Sequence, residues 1–579
     1  MRLAVFIFIA FVLLCFPVLA QEISNPQIVS SASVEITQTG HITSSGADQI
    51  ELKLYIPQQD SFQNVESISV SAKEWGYEID QWGNKILKIS WQNPVESIDF
   101  QVKTIVSIKR REAEAKLGDE FLLPSPLVES ASPTIISLAE RVASGSDDFS
   151  RISSLVKWVN QNIEYDKSYE YVNLSALQTL IIKKGTCDEF SNLLIALTRA
   201  IGYTSAYIAG FAFSKSWEPH SWVNINGIVA DPTWAEAGFI DASHIKFATL
   251  PDGLYTEAKI SAKGKQGLSV NLGEINTEIK ILDFNEQPLI DTKASLVEKN
   301  VKEGYAVLRG DFSFDGCVLT KVKAQSCVAE GKEFLTPLVP EQIIYFCRTK
   351  SVFEIFKAPL LDSSMIYNCE LRIWPYAGES KADNLTLSPT AQTADAKLSV
   401  DKTSVIPGER ISVSAESSHI FTDYGDYGFS TAKFTAPESD FKIYAYKYGS
   451  LAEQEVYVTK TRPIEFELFV NDTLMLGKSA YVLVKVENIL EKTQLITVKI
   501  GNQSQTKTLG AGLTETFNLT FTPKNLEDNL IQIFITADGF LTSSSKIINI
   551  IAPEKSWLEK IFNIIRNLFN YILSLVGIK

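Results

Sequence analysis

The 579-residue sequence predicts a multidomain chain in which one α+β unit is flanked by antiparallel β-sandwich domains, some of them immunoglobulin-like. Three observations predict it. At roughly 150 residues per domain, the length provides for about four cores. Two-residue apolar alternation recurs along most of the chain, as half-buried strands require. Helical periodicity is concentrated between about residues 133 and 200.

Met1-Arg2, an apolar run to Phe16 and then Pro17-Val-Leu-Ala20 read as a secretory leader over residues 1–20, with a small-residue cleavage site after Ala20 and an uncleaved anchor as the alternative. Cys15 follows Leu14, where a lipoprotein site needs a small residue, so lipidation is not expected. Residues 21–110 carry strand segments such as Ser33–Thr39, Gln49–Ile56, Glu66–Ala72, Ile86–Trp91 and Ser97–Val102. Their spacing and polar turns indicate an N-terminal β-sandwich without evident chemistry.

The next unit, residues 125–262, begins with helical patterns over 133–143 and 148–163, the latter with the stripe Leu155, Val156, Val159 and Ile163. Gly185-Thr186-Cys187 then opens a third stripe, Phe190, Leu193, Leu194 and Leu197, which stops before Gly202. Cys187 therefore lies at a helix N-terminus, where unpaired N–H groups and the positive end of the dipole favour a thiolate. The backbone N–H there is also an oxyanion donor. Gly185 permits a tight turn into the helix.

From His220 to Asn226 the chain alternates as a strand, Asn226-Gly227 is a hairpin turn, and Ile228 to Asp231 is the returning strand. Counted from the turn centre, His220 and Asp231 fall on diagonal cross-strand positions of one face. A carboxylate there fixes the imidazole and stabilises its charged form, while the other ring nitrogen faces the thiol. This is the nucleophile, base and orienter logic of covalent catalysis. Taken singly, a cysteine is a small core hydrophobe and Asp-Pro-Thr a turn. In a chain with only four histidines their conjunction carries more weight.

The run from Ala176 through Gly185-Thr-Cys187-Asp-Glu-Phe-Ser to Gly202-Tyr, with Tyr207-Ile-Ala-Gly-Phe, His220-Ser-Trp-Val and Asp231-Pro-Thr-Trp, resembles the transglutaminase-like superfamily. This papain-related group includes transglutaminases, microbial cysteine proteases and peptide:N-glycanases. The resemblance covers about residues 130 to 260. It implies a papain-like α+β fold with Cys187 as nucleophile, His220 as general base and Asp231 as its orienter. It does not specify a substrate.

Residues 263–377 return to strands and hold Cys317, Cys327, Cys347 and Cys369. With the leader removed five cysteines remain, so two disulfides would leave Cys187 free. Short spans favour 317 with 327 and 347 with 369. The polar stretch 378–397 suggests a linker. Residues 398–460 and 461–552 have the strand rhythm of immunoglobulin-like domains. Asp423-Tyr-Gly-Asp426 has two carboxylates but not the rest of a calcium-ligand pattern, and suits a turn. Asn-x-Ser/Thr sequons at Asn173, Asn384, Asn471, Asn502 and Asn518 suit an exported glycoprotein.

After Pro553, wound as a helix, the residues at 559, 560, 563, 566, 567, 570 and 574 form one polar arc on an otherwise apolar surface. Residues 553–579 are thus expected to form an amphipathic, membrane-associated helix, interfacial or spanning, with packing on the protein itself as the soluble alternative. The net charge is −14, without a dense basic cluster, which argues against nucleic acid as a partner. No zinc spacing or nucleotide loop is present, so no metal and no cofactor are expected. The expected protein is an exported, cell-surface enzyme that acts on amide bonds of a protein or peptide through a thioester, as a protease, amidase or cross-linking transferase. The alternative is a non-catalytic adhesion or scaffold protein built from β-modules.

Overall fold

The computed structural model describes residues 23–552, apart from 255–256, 330, 360–361, 363, 438, 460–462, 491–492, 527–528 and 538–539. The expected leader and the expected C-terminal membrane helix lie outside the described residues. Among the described residues no helix is long and apolar enough to cross a membrane.

The N-terminal sheet is ordered β2 (Gln63–Val70), β5 (Ser97–Lys109), β1 (Val29–Tyr55), β4 (Lys85–Gln92), β3 (Glu74–Ile79). Alternate residues of β1 are buried, with Val34, Ile36, Ile50, Leu52 and Leu54 turned inward, as a two-residue period demands.

The catalytic-type unit packs four helices on a sheet. The helices are α1 (Pro133–Val142), α2 (Asp148–Asn162), α3 (Ala176–Ile182) and α4 (Cys187–Ala200). Two short parallel strands, β6 (Glu164–Tyr165) and β7 (Lys184–Gly185), run into α4. The sheet follows the order β12 (His244–Leu250), β8 (Ser205–Phe213), β9 (Trp217–Ile225), β10 (Ile228–Asp231), β11 (Glu236–Ala237). Leu155, Val156 and Val159 from α2 meet Leu193, Leu194 and Leu197 from α4 over Tyr207, Val223 and Ile225 of the sheet. Burial of such side chains stabilises by about 1.5–3 kcal/mol each, so α4 is held as the central helix by tertiary contacts.

Beyond this unit, β13 (Ala258–Leu272) and β14 (Asn276–Glu286) return to the first sheet and pair with β1. A unit boundary at 262/263 therefore cuts a strand, and the N-terminal unit is not complete at residue 110. The reason is that β1 is a central strand whose second ladder edge must be satisfied. Its partners come from more than 200 residues away, where local alternation carries no address.

In the third unit the strands Tyr305–Gln325 and Glu341–Lys357 form a long antiparallel pair. Ala237 of β11 pairs with Leu319, so the sheet continues into this unit. The disulfides are Cys317–Cys347 and Cys327–Cys369, which corrects the expected local pairing. Cys317 and Cys327 lie ten residues apart, most of that distance along one extended strand, or about 30 Å at 3.3 Å per residue. A bridge needs Cα atoms within about 7 Å, and only the facing strand brings one, with Cys347 directly opposite Cys317.

The supposed linker is also corrected, because Lys381–Leu387 is a strand paired with Tyr367–Pro375. Only Leu385 and Leu387 of it are buried, and its polar remainder hid the two-residue alternation. The last unit stacks a three-stranded on a four-stranded sheet around Val482, Val484, Val498, Phe517, Ile533 and Ile535. That is sandwich packing. The chain is thus multidomain and β-rich, and among the described residues it has a single helical unit, on which the candidate site depends.

Candidate active site

Three elements converge on one point. Cys187 is the first residue of α4 and is 8% exposed. The Glu189 carboxylate accepts hydrogen bonds from Thr186 N–H at 2.7 Å and from Thr186 Oγ1 at 2.9 Å. This closes the helix start in the manner of a capping box. A Cβ on Gly185 would sit 2.4 Å from Glu189 Cβ, so glycine is needed for the carboxylate to fold back. Among the described residues Cys187 is the free cysteine.

The hairpin has Asn226 and Gly227 at φ of 50° and 94°, the left-handed pair that an Asn-Gly hairpin turn requires. Its register sets Ala230 opposite Val223, so Asp231 lies diagonal to His220 on the same face. His220 Nε2–H donates to Asp231 Oδ2 at 2.7 Å. Asp231 Oδ1 accepts from the N–H groups of Thr233 at 2.7 Å and Trp234 at 3.2 Å. The Asp-Pro-Thr-Trp segment is therefore an Asx-type turn that fixes the carboxylate before the imidazole reaches it. Cys187 is among the groups that act on the His220 ring, and with Nε2 engaged by Asp231 it is Nδ1 that is left for the thiol.

The His220 side chain is 8% exposed and that of Asp231 fully buried. Burial opposes the imidazolium, but Asp231 and then Cys187 outweigh it and raise the His220 pKa to about 9. Burial also pushes Asp231 up, and the positive charges of His220 and His244 hold it well below the usual carboxylate range. The His220 ring stacks on Trp234 at 4.8 Å between centroids. Opposite it on the neighbouring strand is Gly210, where a Cβ would lie 1.9 Å from the Ile245 carbonyl oxygen.

The thiol side is framed by Tyr207 and Tyr165. The Tyr207 hydroxyl donates to Asp188 Oδ1, and the same carboxylate lies 3.7 Å from Cys187 Sγ. Tyr165, on the strand beside β7, packs its ring against Phe190 of α4.

Sequence reasoning missed the groups behind Asp231. His244 is buried with Nε2 3.7 Å from Asp231 Oδ2 and Nδ1 3.4 Å from Asp241 Oδ1. Glu236 is buried as well, with both carboxyl oxygens unpartnered. Its burial, with Asp241 and Asp231 close by, pushes its pKa well above the usual carboxylate value. The available signal was a second rare histidine, three residues after an aspartate, at the start of a strand. His220, Asp231 and His244 bring ligand-type atoms within 4.8 Å of one another. With Asp231 Oδ2 already bound to His220, a chain of hydrogen bonds and ion pairs accounts for the three without an ion.

A helix-borne thiol facing an imidazole on an adjoining antiparallel sheet defines a papain-like α+β domain. Residues 136–237 match the family model of the transglutaminase-like superfamily, and this part of the chain is a transglutaminase-like domain. An uncharacterized protein, YebA, from Bacillus subtilis (strain 168) is 25% identical over 197 residues, which is 32% of this chain and 25% of that protein. The alignment thus spans a quarter of that relative's length. Among solved structures, a candidate cysteine protease from Cytophaga hutchinsonii aligns over 45% of this chain and 93% of its own, at 18% identity and a TM-score of 0.35. The native form of alpha-2-macroglobulin from E. coli aligns over 90% of this chain and 38% of its own, at 10% identity and a TM-score of 0.15.

Proposed function

We propose that this protein is an exported cysteine enzyme that attacks amide bonds of a protein or peptide through Cys187, with His220 as general base and acid and Asp231 as its orienter. The observation that carries the reading is the 2.7 Å hydrogen bond from His220 Nε2 to the buried Asp231 carboxylate, on a ring that Cys187 at the start of α4 lies close enough to influence. In the first step Sγ adds to the amide carbonyl and the oxyanion meets the backbone N–H at the start of α4. His220 then returns the proton to the leaving amine, and a thioester on Cys187 remains. Water as acceptor gives hydrolysis, and a lysine amine gives a cross-link. Two disulfides support export, and the sequence adds the leader and the C-terminal amphipathic segment that would keep the enzyme at a membrane surface.

The experiment is iodoacetamide labelling with mass mapping, followed by product analysis on peptides. The enzyme reading expects fast alkylation of Cys187 that persists below pH 7. Labelling only after denaturation would leave the non-catalytic scaffold reading in its place.

A further inference from the structure

His244 is buried, ionisable and unused by the chemistry above. Its side chain is 0% exposed, and its two nitrogens point to two different carboxylates, Asp231 at 3.7 Å and Asp241 at 3.4 Å. Both contacts are ion pairs, longer than hydrogen bonds. The ring is held edge-on to Trp222 at 5.1 Å and to Trp234 at 4.9 Å between centroids, the two indoles that also stack on His220. No rotation of the ring away from Asp231 is available without displacing the wall of the site.

Asp231, Glu236 and Asp241 are all buried, so carboxyl groups crowd this interior and a cation set among them is stabilised. The groups facing them are His220 and His244, with Lys321 acting on Glu236 and Arg110 on Asp241 at longer range. Cys187 and Asp188 stand on the far side of His220. Ser243 donates to Asp241 from its backbone N–H at 2.8 Å and from its hydroxyl, which fixes that carboxylate as the outer end of the chain.

From this geometry we infer that His244 is a positioning residue, a cation clamped between Asp231 and Asp241 that keeps Asp231 an anion and so keeps His220 turned toward Cys187. The array thus runs Asp241, His244, Asp231, His220, Cys187, with charges alternating along it. His244 contacts neither substrate nor thiol, so its effect passes through Asp231. The ionisation of His244 agrees with the array: burial opposes the imidazolium, but Asp241 and Asp231 outweigh it and raise the His244 pKa to about 9.

The inference rests on the proposed triad, and its test separates the two. The readout is the rate of carboxymethylation of Cys187 by iodoacetamide in the full-length protein between pH 4 and 9, mapped by mass. For the unsubstituted protein a rate that persists below pH 7 upholds the triad, and its absence removes the triad and this inference together. Given that persistence, His244→Gln is expected to move the acidic limb of the profile up by about 1 pH unit, so that labelling at pH 5.5 falls about 10-fold while that at pH 8 changes less than about 3-fold. Adding Asp241→Asn removes an anion along with the cation and should bring the limb back toward its original position. A purely structural histidine would lower the rate evenly across pH, and the second substitution would not restore it; that result overturns the inference and leaves the triad standing. Should His244→Gln not fold, Asp241→Asn alone decides. With one rival carboxylate gone the limb should move down, and an unmoved or raised limb counts against the proposal.

Discussion

Cys187 and Cys317 are both partly or wholly enclosed thiols beside antiparallel strands, yet one is free and the other bridged. Cys317 has Cys347 directly opposite on the neighbouring strand, so cross-strand register delivers sulfur to sulfur. Cys187 is the first residue of a helix and lies near the imidazole of His220, so its polar neighbour comes from a diagonal hairpin pair instead. Register therefore decides which thiols become structure and which stay available for chemistry. The rest of each environment follows from that.

The comparison can be broken most directly at the free thiol. Cys187→Ala and His220→Ala are each expected to remove nearly all turnover, on the order of 10⁴-fold or more, and together to cost no more than either alone. Asp231→Asn should retain more. Near-normal turnover of peptides by His220→Ala would end the assignment. At the bridged thiols, Cys317→Ala with Cys347→Ala should destabilise the third unit by about 2–5 kcal/mol and leave Cys187 labelling intact. Denaturant unfolding with labelling at low denaturant measures both, and non-reducing peptide maps should return 317 with 347 and 327 with 369.

A smaller effect concerns pH. The His220 pKa is raised in the fold to about 9, above its unfolded value of about 6.5. Its stabilisation is therefore complete below about pH 6.5 and is lost as pH rises through about 9. Asp231 shifts the other way, so its contribution is present above its unfolded value of about 3.9 and is lost as pH falls below it. Urea midpoints of the catalytic unit should therefore decline from pH 6.5 to 9.5 in the parent, less in His220→Ala, and least when His244 is replaced as well, because its pKa is raised to about 9 too. The smallest effect is at the hairpin turn. Gly227 at φ 94° should cost about 1 kcal/mol when replaced by Ala, lowering the thermal midpoint by a few degrees at most, and an unchanged midpoint would show that the turn does not set the His220–Asp231 diagonal.

What could be read from the sequence was local. The stripe Phe190, Leu193, Leu194 and Leu197 fixed α4 and placed Cys187 at its start, and Asn226-Gly227 fixed the hairpin and its diagonal. What could not be read needed distant partners. Ile36 of β1 pairs with Ile279 and Leu52 with Ile260, and neither alternation names its neighbour. The disulfide pairing was missed because short sequence separation is a poor guide when most of the span between two cysteines runs along one extended strand, as it does from Cys317 toward Cys327. His244 was missed because a histidine inside a buried strand looks like any satisfied core residue until the carboxylates around it are placed.

The order of the cysteines along the chain acquires a meaning from the burial of Cys187. The core beside the nucleophile draws nearly all its residues from the chain up to Leu250, with Leu319 added from the third unit, and Cys317 comes more than 60 residues after Leu250. At about 5–20 residues per second, an N-terminus-first chain has several seconds in which to begin sequestering Cys187 before any of the four bridged cysteines is made. Vectorial emergence thus sorts the thiols by timing, and a permuted chain beginning at the third unit would expose the nucleophile to mispairing while it folds.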